Sequence, residues 1–273
     1  GVVHPLMRRY VCKPPSIQGE NMSFKSWRAF LEFSHTVKHK SRYILDDDSK
    51  AFLDAVADTC GSRAKVLEKG TVLWRAQNGH DWEEIREGDE VVAEKPSAFS
   101  PTRMKPLVDS ASEGRANSKG IPCLYLATTA NTAMSEVRPW LGSIISAGQF
   151  ETIKELKIVD CSIHHGEATH FFFQEPPAED VIKNVWAFID NAFSQPTLNN
   201  DLRSDYAPTQ MIAELFKSLG YDGLAYKSSL SDGYNIALFD LESAKLVNCS
   251  VFEAKKVEFS FNEIDNPYFI KDT

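Results

Sequence analysis

The succession of apolar segments after Gly70 is the feature that most constrains the fold of this chain. Short apolar runs bounded by turn residues predict β-strands, and helical patterns return between them at irregular intervals. The predicted strands are 71–76, 124–127, 144–150, 156–160, 224–227 and 236–239, and the predicted helices are 132–137, 179–193 and 207–219. Because strands and helices do not alternate strictly, the pattern predicts an α+β fold rather than a doubly wound parallel sheet.

The first 69 residues follow a different, helical pattern. Ser23 is a candidate N-cap for one amphipathic helix, and a second helix follows the acidic run 46–48 and ends at Gly61. A chain of 273 residues holds one large domain or one domain with a substantial extension. We therefore divide it into an N-terminal helical extension, 1–69, and a main domain, 70–273.

Charge is unevenly distributed along the chain. The formal net charge is −8, yet the segment through Leu45 carries eight Lys and Arg against two Glu, which is +6 and leaves −14 for the remainder. Such a basic segment could attract an anionic partner or dock on the acidic body of its own chain. Aromatic residues interleave with these charges as in a packed helix, and the overall acidic balance disfavours nucleic acid as a partner.

Cysteine usage and hydropathy point to a cytoplasmic protein. The five cysteines are odd in number, scattered and without a C-x-x-C pair, which argues against a disulfide framework or a structural zinc site. The longest uncharged run, 120–135, contains several polar residues, whereas a membrane span needs about 18 apolar ones. No signal-peptide pattern opens the sequence. We expect no membrane association.

The common signatures of cofactor and metal sites are missing from the sequence. It contains no G-x-G-x-x-G or P-loop motif for phosphates, no H-E-x-x-H for zinc, and no G-x-S-x-G nucleophile elbow. His164, His165 and His170 cluster around Glu167, but none has the i, i+4 spacing of helical metal ligands. We therefore expect a solvated His-rich loop, no metal and no bound cofactor.

The remaining candidates are polar residues embedded in apolar strands or near the ends of elements. They are Arg75, Arg115, Asn117, Tyr125, Glu136, Ser228, Ser229 and Asn235. Each has an ordinary structural alternative: Arg75 and Glu136 could form an ion pair, Tyr125 could belong to the core, and Arg115 could be a solvated loop charge. The two serines could be turn residues, and the sequence does not choose between them. None of these residues indicates a function by itself, but their order along the chain does.

That order resembles the RES-domain family, which is named for its Arg, Glu and Ser. The matching strings are Leu73-Trp74-Arg75-Ala76, Gly114-Arg115-Ala116-Asn117, Gly120 to Ala127, Thr132 to Pro139, Tyr206 with Thr209-Gln210, Tyr221 to Ser228, Asn235 and Leu238-Phe239. The resemblance covers about residues 70–240. Two positions depart from the family pattern, since Ala116 stands where an aromatic residue is frequent and Ser118 where proline is frequent.

The resemblance implies an ADP-ribosyltransferase-like fold, with a split, antiparallel-rich sheet around an NAD cleft. Residues 70–273 would then be the NAD-binding catalytic domain. Members are usually toxins of toxin–antitoxin pairs that degrade NAD by phosphorolysis or hydrolysis, and some transfer ADP-ribose to a protein. The implied catalytic residues are Glu136, Arg75 and Ser228; the implied NAD-binding residues are Arg75, Arg115, Asn117, Tyr125, Ser228 and Asn235.

These residue types suit the chemistry of NAD cleavage. Guanidinium groups make bidentate contacts with a pyrophosphate, and a tyrosine ring can stack on a flat base. Glu136 would stabilise the positive charge that develops on the ribose, while Ser228 and Asn235 would bind the nicotinamide amide or the ribose. Arg103 and Arg138 are further candidates for an incoming phosphate, with ordinary surface charge as the alternative.

Three functions remain open at this point. The first is NAD cleavage with phosphate or water as acceptor, in which NAD is a substrate and not a cofactor. The second is transfer of ADP-ribose to a specific macromolecule, and the third is a catalytically silent NAD- or ADP-ribose-binding module. The partners considered are NAD, inorganic phosphate, an antitoxin protein and a second copy of the chain.

Overall fold

A computed structural model of the chain describes residues 23–171, 173, 175–195, 203–258 and 260–261. Its α-helices are α1 (Ala29–His39), α2 (Asp47–Cys60), α3 (Ala130–Glu136), α4 (Ala178–Ser194) and α5 (Ala207–Ser218). Its strands are β1 (Ala64–Leu67), β2 (Val72–Asn78), β3 (Asp81–Glu87), β4 (Glu90–Ser97), β5 (Leu124–Ala127), β6 (Ile144–Thr152), β7 (Leu156–Asp160), β8 (Gly223–Lys227), β9 (Tyr234–Leu238) and β10 (Ala244–Glu253).

Eight of these strands form one sheet in the order β1-β7-β8-β9-β5-β2-β6-β10, and β3 pairs with β4 in a separate hairpin. Strands β7 and β8 are parallel, while the other neighbours in the sheet are antiparallel. The α+β prediction is confirmed by this large, mostly antiparallel sheet with its flanking helices.

The sheet is nearly divided between β5 and β2. Their register contains the single pair Trp74 and Ala127, whereas β2 pairs with β6 from Val72 to Asn78. The two halves, β1-β7-β8-β9-β5 and β2-β6-β10, are therefore paired with each other at this single position.

Side chains of β8 show how the two faces of the sheet are used. Leu224 and Tyr226 point into a core shared with α1, α2, α4 and α5, while Ala225 points into a second core on the opposite face. This alternation follows the two-residue period of a strand. Trp186 of α4 and Phe216 of α5 stack with ring centroids 6.2 Å apart and are fully buried between the helices and the sheet.

The predicted N-terminal extension packs into the first of these cores. Phe33 of α1 stacks on Phe52 of α2 at 4.4 Å, and the indole N–H of Trp186 donates to Thr59 of α2 over 3.0 Å. Strand β1, which also precedes residue 70, pairs with β7 at the edge of the main sheet. The boundary at residue 69 stays a prediction, but the helices before it share their core with the rest of the described chain.

Most predicted elements agree with the structure where strands and helices are buried, but the helix predicted to begin after Ser23 begins at Ala29. Strands β1, β3, β4 and β10 were not predicted. The hairpin β3–β4 is exposed on both faces and rich in charge, so it lacks the apolar alternation on which strand prediction relies. The polar sequence of residues 194–206 also predicts an exposed loop that could act as a lid. Residues 196–202 of that stretch lie outside the described residues, and Arg203–Tyr206 form a 3-10 turn. No helix among the described residues is long and apolar enough to cross a membrane.

Candidate active site

Glu136 is held by two side chains that come from a different part of the sequence. It is the last residue of α3, whose N-terminus is capped by the Thr129 hydroxyl. Its Oε1 accepts a hydrogen bond from Ser228 Oγ at 2.7 Å and another from Asn235 Nδ2 at 2.7 Å. Within the described part of the chain no donor reaches Oε2. Glu136 is exposed, whereas Ser228 and Asn235 are buried. The structure therefore fixes the direction of a carboxylate that faces solvent.

The geometry distinguishes the two candidate serines. Ser228 follows β8 directly; its N–H donates to the Gly233 carbonyl over 3.1 Å, and its Oγ also accepts from Leu230 N over 3.1 Å. Ser229 is exposed. Of the two, Ser228 is the one that contacts Glu136.

Arg75 lies in β2 beside the division of the sheet. Its Nη1 donates to the Tyr125 carbonyl of β5 over 3.1 Å, and its Nε is buried without a hydrogen-bond partner among the described residues. Burial lowers the pKa of the Arg75 guanidinium from its usual value, because the charged form loses solvation. No ion pair joins Arg75 to Glu136 in the described structure, so the ion-pair alternative is wrong. An anion would satisfy the remaining donors of Arg75.

Two clefts share Arg75, Gln77 and Tyr125 in their walls. The smaller, about 460 Å³, is also lined by Trp74, Glu136 and Asn235. The larger, about 690 Å³, extends along Gln77, Arg103, Lys105, Ser112, Glu113, Asn117 and Cys123. Each is of the size that small-molecule sites have. Together they could hold an elongated ligand whose middle lies at Arg75.

The segment Gly114–Asn117 forms a tight turn that folds over Tyr125. The Tyr125 hydroxyl donates to Asn117 Oδ1 at 2.7 Å and accepts from Ala116 N at 2.9 Å. A Cβ on Gly114 would lie 2.5 Å from that hydroxyl oxygen, which explains the glycine. Burial raises the pKa of Tyr125 well above its usual value, because the charged form loses solvation. The tyrosine is thus held as a neutral wall of both clefts.

Asn117 and Arg115 use their polar groups within the protein. Asn117 is buried, and its Nδ2 donates to the carbonyls of Ser112 at 2.9 Å and Ile121 at 2.7 Å. Arg115 donates through Nη1 to the Phe193 carbonyl at the end of α4 and lines neither cleft. The structure therefore does not bring the Arg115 guanidinium to Arg75 and Glu136.

Gln210 is a site-supporting residue to which the sequence analysis gave no role. Its Nε2 donates to the carbonyls of Gly114 at 2.9 Å and Asn117 at 3.0 Å. It thereby fastens the turn to α5. The only signal in the sequence was its place in the Thr209-Gln210 string.

The histidine-rich segment makes protein contacts of its own. His165 contacts the buried carboxylate of Asp190, and Glu167 pairs with Lys183 and with His164. Burial raises the pKa of Asp190. In the region that the structure covers, no group of three or more His, Cys, Asp or Glu side chains is arranged to hold a metal ion.

Comparison with known proteins gives one family match. The family model described as the RES domain matches residues 72–262. No curated protein matches the chain. The crystal structure of the M. tuberculosis MbcT-MbcA toxin-antitoxin complex contains a chain that is 13% identical, with 71% of this chain and 90% of that chain covered and a TM-score of 0.36. A similarity of that size does not bear on function.

Proposed function

The chain belongs to the RES-domain family, and we propose that it is an enzyme that consumes NAD by cleaving the bond between nicotinamide and ribose. The family model spans all the candidate residues from Arg75 to Asn235. One observation carries the proposal: a carboxylate, Glu136, is oriented by the buried Ser228 and Asn235 in a cleft that also contains Arg75.

Glu136 acts on the charge that develops during cleavage. As the bond between ribose C1′ and the nicotinamide nitrogen breaks, its electron pair goes to the nitrogen and neutralises the pyridinium. Positive charge then develops on the ribose, as in glycoside hydrolysis. A carboxylate aimed at that ribose lowers the energy of the transition state. Because nicotinamide leaves as a neutral molecule, no strong general acid is needed.

Ser228 and Asn235 act through Glu136 in this proposal. We expected them to bind the nicotinamide amide or the ribose, but in the structure their donors point to Glu136 Oε1. Two donors on one oxygen hold the carboxylate in a single direction. They leave Oε2 to accept a hydrogen bond from a ribose hydroxyl.

Arg75 binds the pyrophosphate at the wall that the two clefts share. The nicotinamide riboside then lies in the smaller cleft beside Glu136, and the adenosine half lies in the larger cleft. Arg103 and Lys105 line the larger cleft and add positive charge for a phosphate group. The Tyr125 side chain lines both clefts and contacts both halves of the bound NAD. Arg115 and Asn117 contribute by holding the turn that keeps Tyr125 in place.

The nearly divided sheet supports an ADP-ribosyltransferase-like fold for this site. Arg75 on β2 bridges to β5 at the division, so the proposed substrate would bind between the two halves of the sheet. In the cell we propose a toxin that depletes NAD and is neutralised by an antitoxin protein, as family membership implies.

Nicotinamide release from NAD by the purified protein, with and without inorganic phosphate, tests the proposal. Release that depends on phosphate and yields ADP-ribose carrying one added phosphate indicates phosphorolysis. Release of free ADP-ribose without phosphate dependence indicates hydrolysis. The matched variants are Ser228→Ala, which should lower the rate, and the exposed neighbour Ser229→Ala, which should not. NAD binding without release, or ADP-ribose attached to a protein, would contradict the proposal.

A further inference from the structure

Two side-chain hydrogen bonds join helix α3 to the loop of residues 228–233. In the first, Glu136 Oε1 accepts from Ser228 Oγ. In the second, four residues earlier on α3, Thr132 Oγ1 donates to Ser231 Oγ over 3.1 Å. Residues i and i+4 lie on the same face of a helix, so both contacts come from one side of α3.

The loop and the helix approach each other closely at Thr132. Thr132 is fully buried, with an exposed fraction of 0%. A Cβ on residue 233 would lie 2.1 Å from Thr132 Oγ1, so any side chain there would clash with the threonine and push the loop away from the helix. Only glycine therefore allows the loop to reach the threonine hydroxyl. The next residue, Tyr234, donates its N–H to Thr128 Oγ1 over 3.0 Å and fixes the end of the loop.

We propose that Thr132 and Ser231 form a latch that positions Ser228 against Glu136. This inference rests on the proposed function, because it assigns the latch a role in the chemistry of Glu136. The Glu136 side chain is exposed and has several rotamers, so its direction depends on donors that are held in place. Those donors belong partly to the loop, and the latch fixes the loop to the same helix that carries Glu136.

The competing role for Thr132 is purely structural. Its N–H donates to Thr129 Oγ1 over 3.1 Å, and the two hydroxyls are 2.8 Å apart, so Thr132 also takes part in capping α3. Ser231 separates the two roles. Among the described residues its side chain forms a hydrogen bond with Thr132 alone, and the substitution Ser231→Ala removes the latch bond while leaving the cap intact.

Four variants test the latch by steady-state kinetics of nicotinamide release. Thr132→Val keeps the shape and removes the hydroxyl, Thr132→Ser keeps the hydroxyl, and Ser231→Ala removes the partner. The fourth combines Thr132→Val with Ser231→Ala. A displacement of about 1 Å at a reacting group can cost about 100-fold in rate, so we expect kcat to fall about 10- to 100-fold in Thr132→Val and Ser231→Ala. KM for NAD should stay within about threefold, since the NAD-binding groups are untouched.

Rescue and non-additivity distinguish positioning from folding. Thr132→Ser should keep kcat within about threefold of the wild type. The double variant should be no slower than Thr132→Val alone, because both substitutions remove the same hydrogen bond between Thr132 and Ser231. Ser229→Ala, in the same loop but exposed, serves as the control. A folded Ser231→Ala protein with unchanged kcat would overturn the latch, and so would losses that multiply in the double variant.

Hydrogen exchange of the loop separates failure of the latch from failure of the proposed function. Amides of residues 228–234 should exchange faster in Ser231→Ala and Thr132→Val than in the wild type, and at the wild-type rate in Thr132→Ser. If the wild-type protein releases no nicotinamide, the proposed function is wrong, and the exchange pattern still shows whether the latch orders the loop. Unchanged exchange in both weakened variants would refute the latch whatever the activity.

Discussion

Replacing Glu136 by Gln removes the charge of the proposed catalytic group and keeps its geometry. Glu136 Oε1 accepts both hydrogen bonds, from Ser228 and Asn235, at 2.7 Å each. The amide oxygen of glutamine can accept the same two bonds, and its NH2 then takes the place of Oε2. The change therefore tests electrostatics at a site whose hydrogen bonds remain satisfied.

The expected loss of kcat follows from the proposed role of the carboxylate in stabilising charge in the transition state. Removing one preorganised group that stabilises transition-state charge typically costs about 10²- to 10³-fold in kcat, or about 2.7–4 kcal/mol. The protein should lose little stability, because Glu136 is exposed and a neutral acceptor weakens each of its two bonds by only about 1 kcal/mol. We expect kcat to fall at least about 100-fold while the melting temperature changes by a few degrees.

Initial rates of nicotinamide release, measured at saturating NAD, provide the assay. Glu179→Gln is the matched control, since Glu179 is an exposed glutamate in the first turn of α4 and lines neither cleft. A correctly folded Glu136→Gln protein with kcat within threefold of the wild type would refute the reasoning. Equal losses in both variants would show that net charge, and not this carboxylate, sets the rate.

Further substitutions probe the groups around Glu136 and the turn over the clefts. Asn235→Asp replaces the Nδ2 donor at the 2.7 Å contact by a second carboxylate that repels Glu136, and should lower kcat with a smaller change in KM for NAD. Gln210→Glu replaces a donor to two carbonyls by an acceptor, and should raise KM for NAD several-fold with a smaller change in kcat. Gly114→Ala should lower the free energy of unfolding by about 1–3 kcal/mol in a denaturant titration, because the new Cβ overpacks the turn. The control Gly61→Ala, at a position where a Cβ would have no neighbour within 4 Å, should leave the free energy of unfolding unchanged or raise it slightly.

The sequence predicted the buried elements better than the exposed ones for a physical reason. Strands 124–127 and 156–160 agree with β5 and β7 residue by residue, because both are short apolar runs inside the sheet. β10 was missed although it spans ten residues. It is an edge strand that is largely exposed, so burial imposes little pattern on its sequence.

The candidate site was predictable as a set of residues but not as an arrangement. Resemblance grouped Glu136, Ser228 and Asn235, yet nothing in their spacing indicates that two donors share one carboxylate oxygen. A glycine such as Gly114 indicates that another group approaches the backbone closely, but the sequence does not say whether that group is a ligand or part of the chain. In the structure the Tyr125 hydroxyl approaches Gly114, since a Cβ there would lie 2.5 Å from its oxygen.

The proposed role of Arg75 in NAD binding can be tested separately from a role in the fold. A guanidinium that is largely removed from water, bonded to one carbonyl and left with a buried Nε, carries a desolvation cost that an apolar side chain of similar length would avoid. We therefore expect Arg75→Met to keep or raise the melting temperature while weakening NAD binding by at least about tenfold, since a charge-assisted contact contributes about 1.5–3 kcal/mol. Isothermal titration of NAD into the Glu136→Gln background measures binding without turnover. If Arg75→Met instead unfolds the protein and NAD affinity in the folded fraction is unchanged, the arginine serves the fold and the pyrophosphate must bind elsewhere.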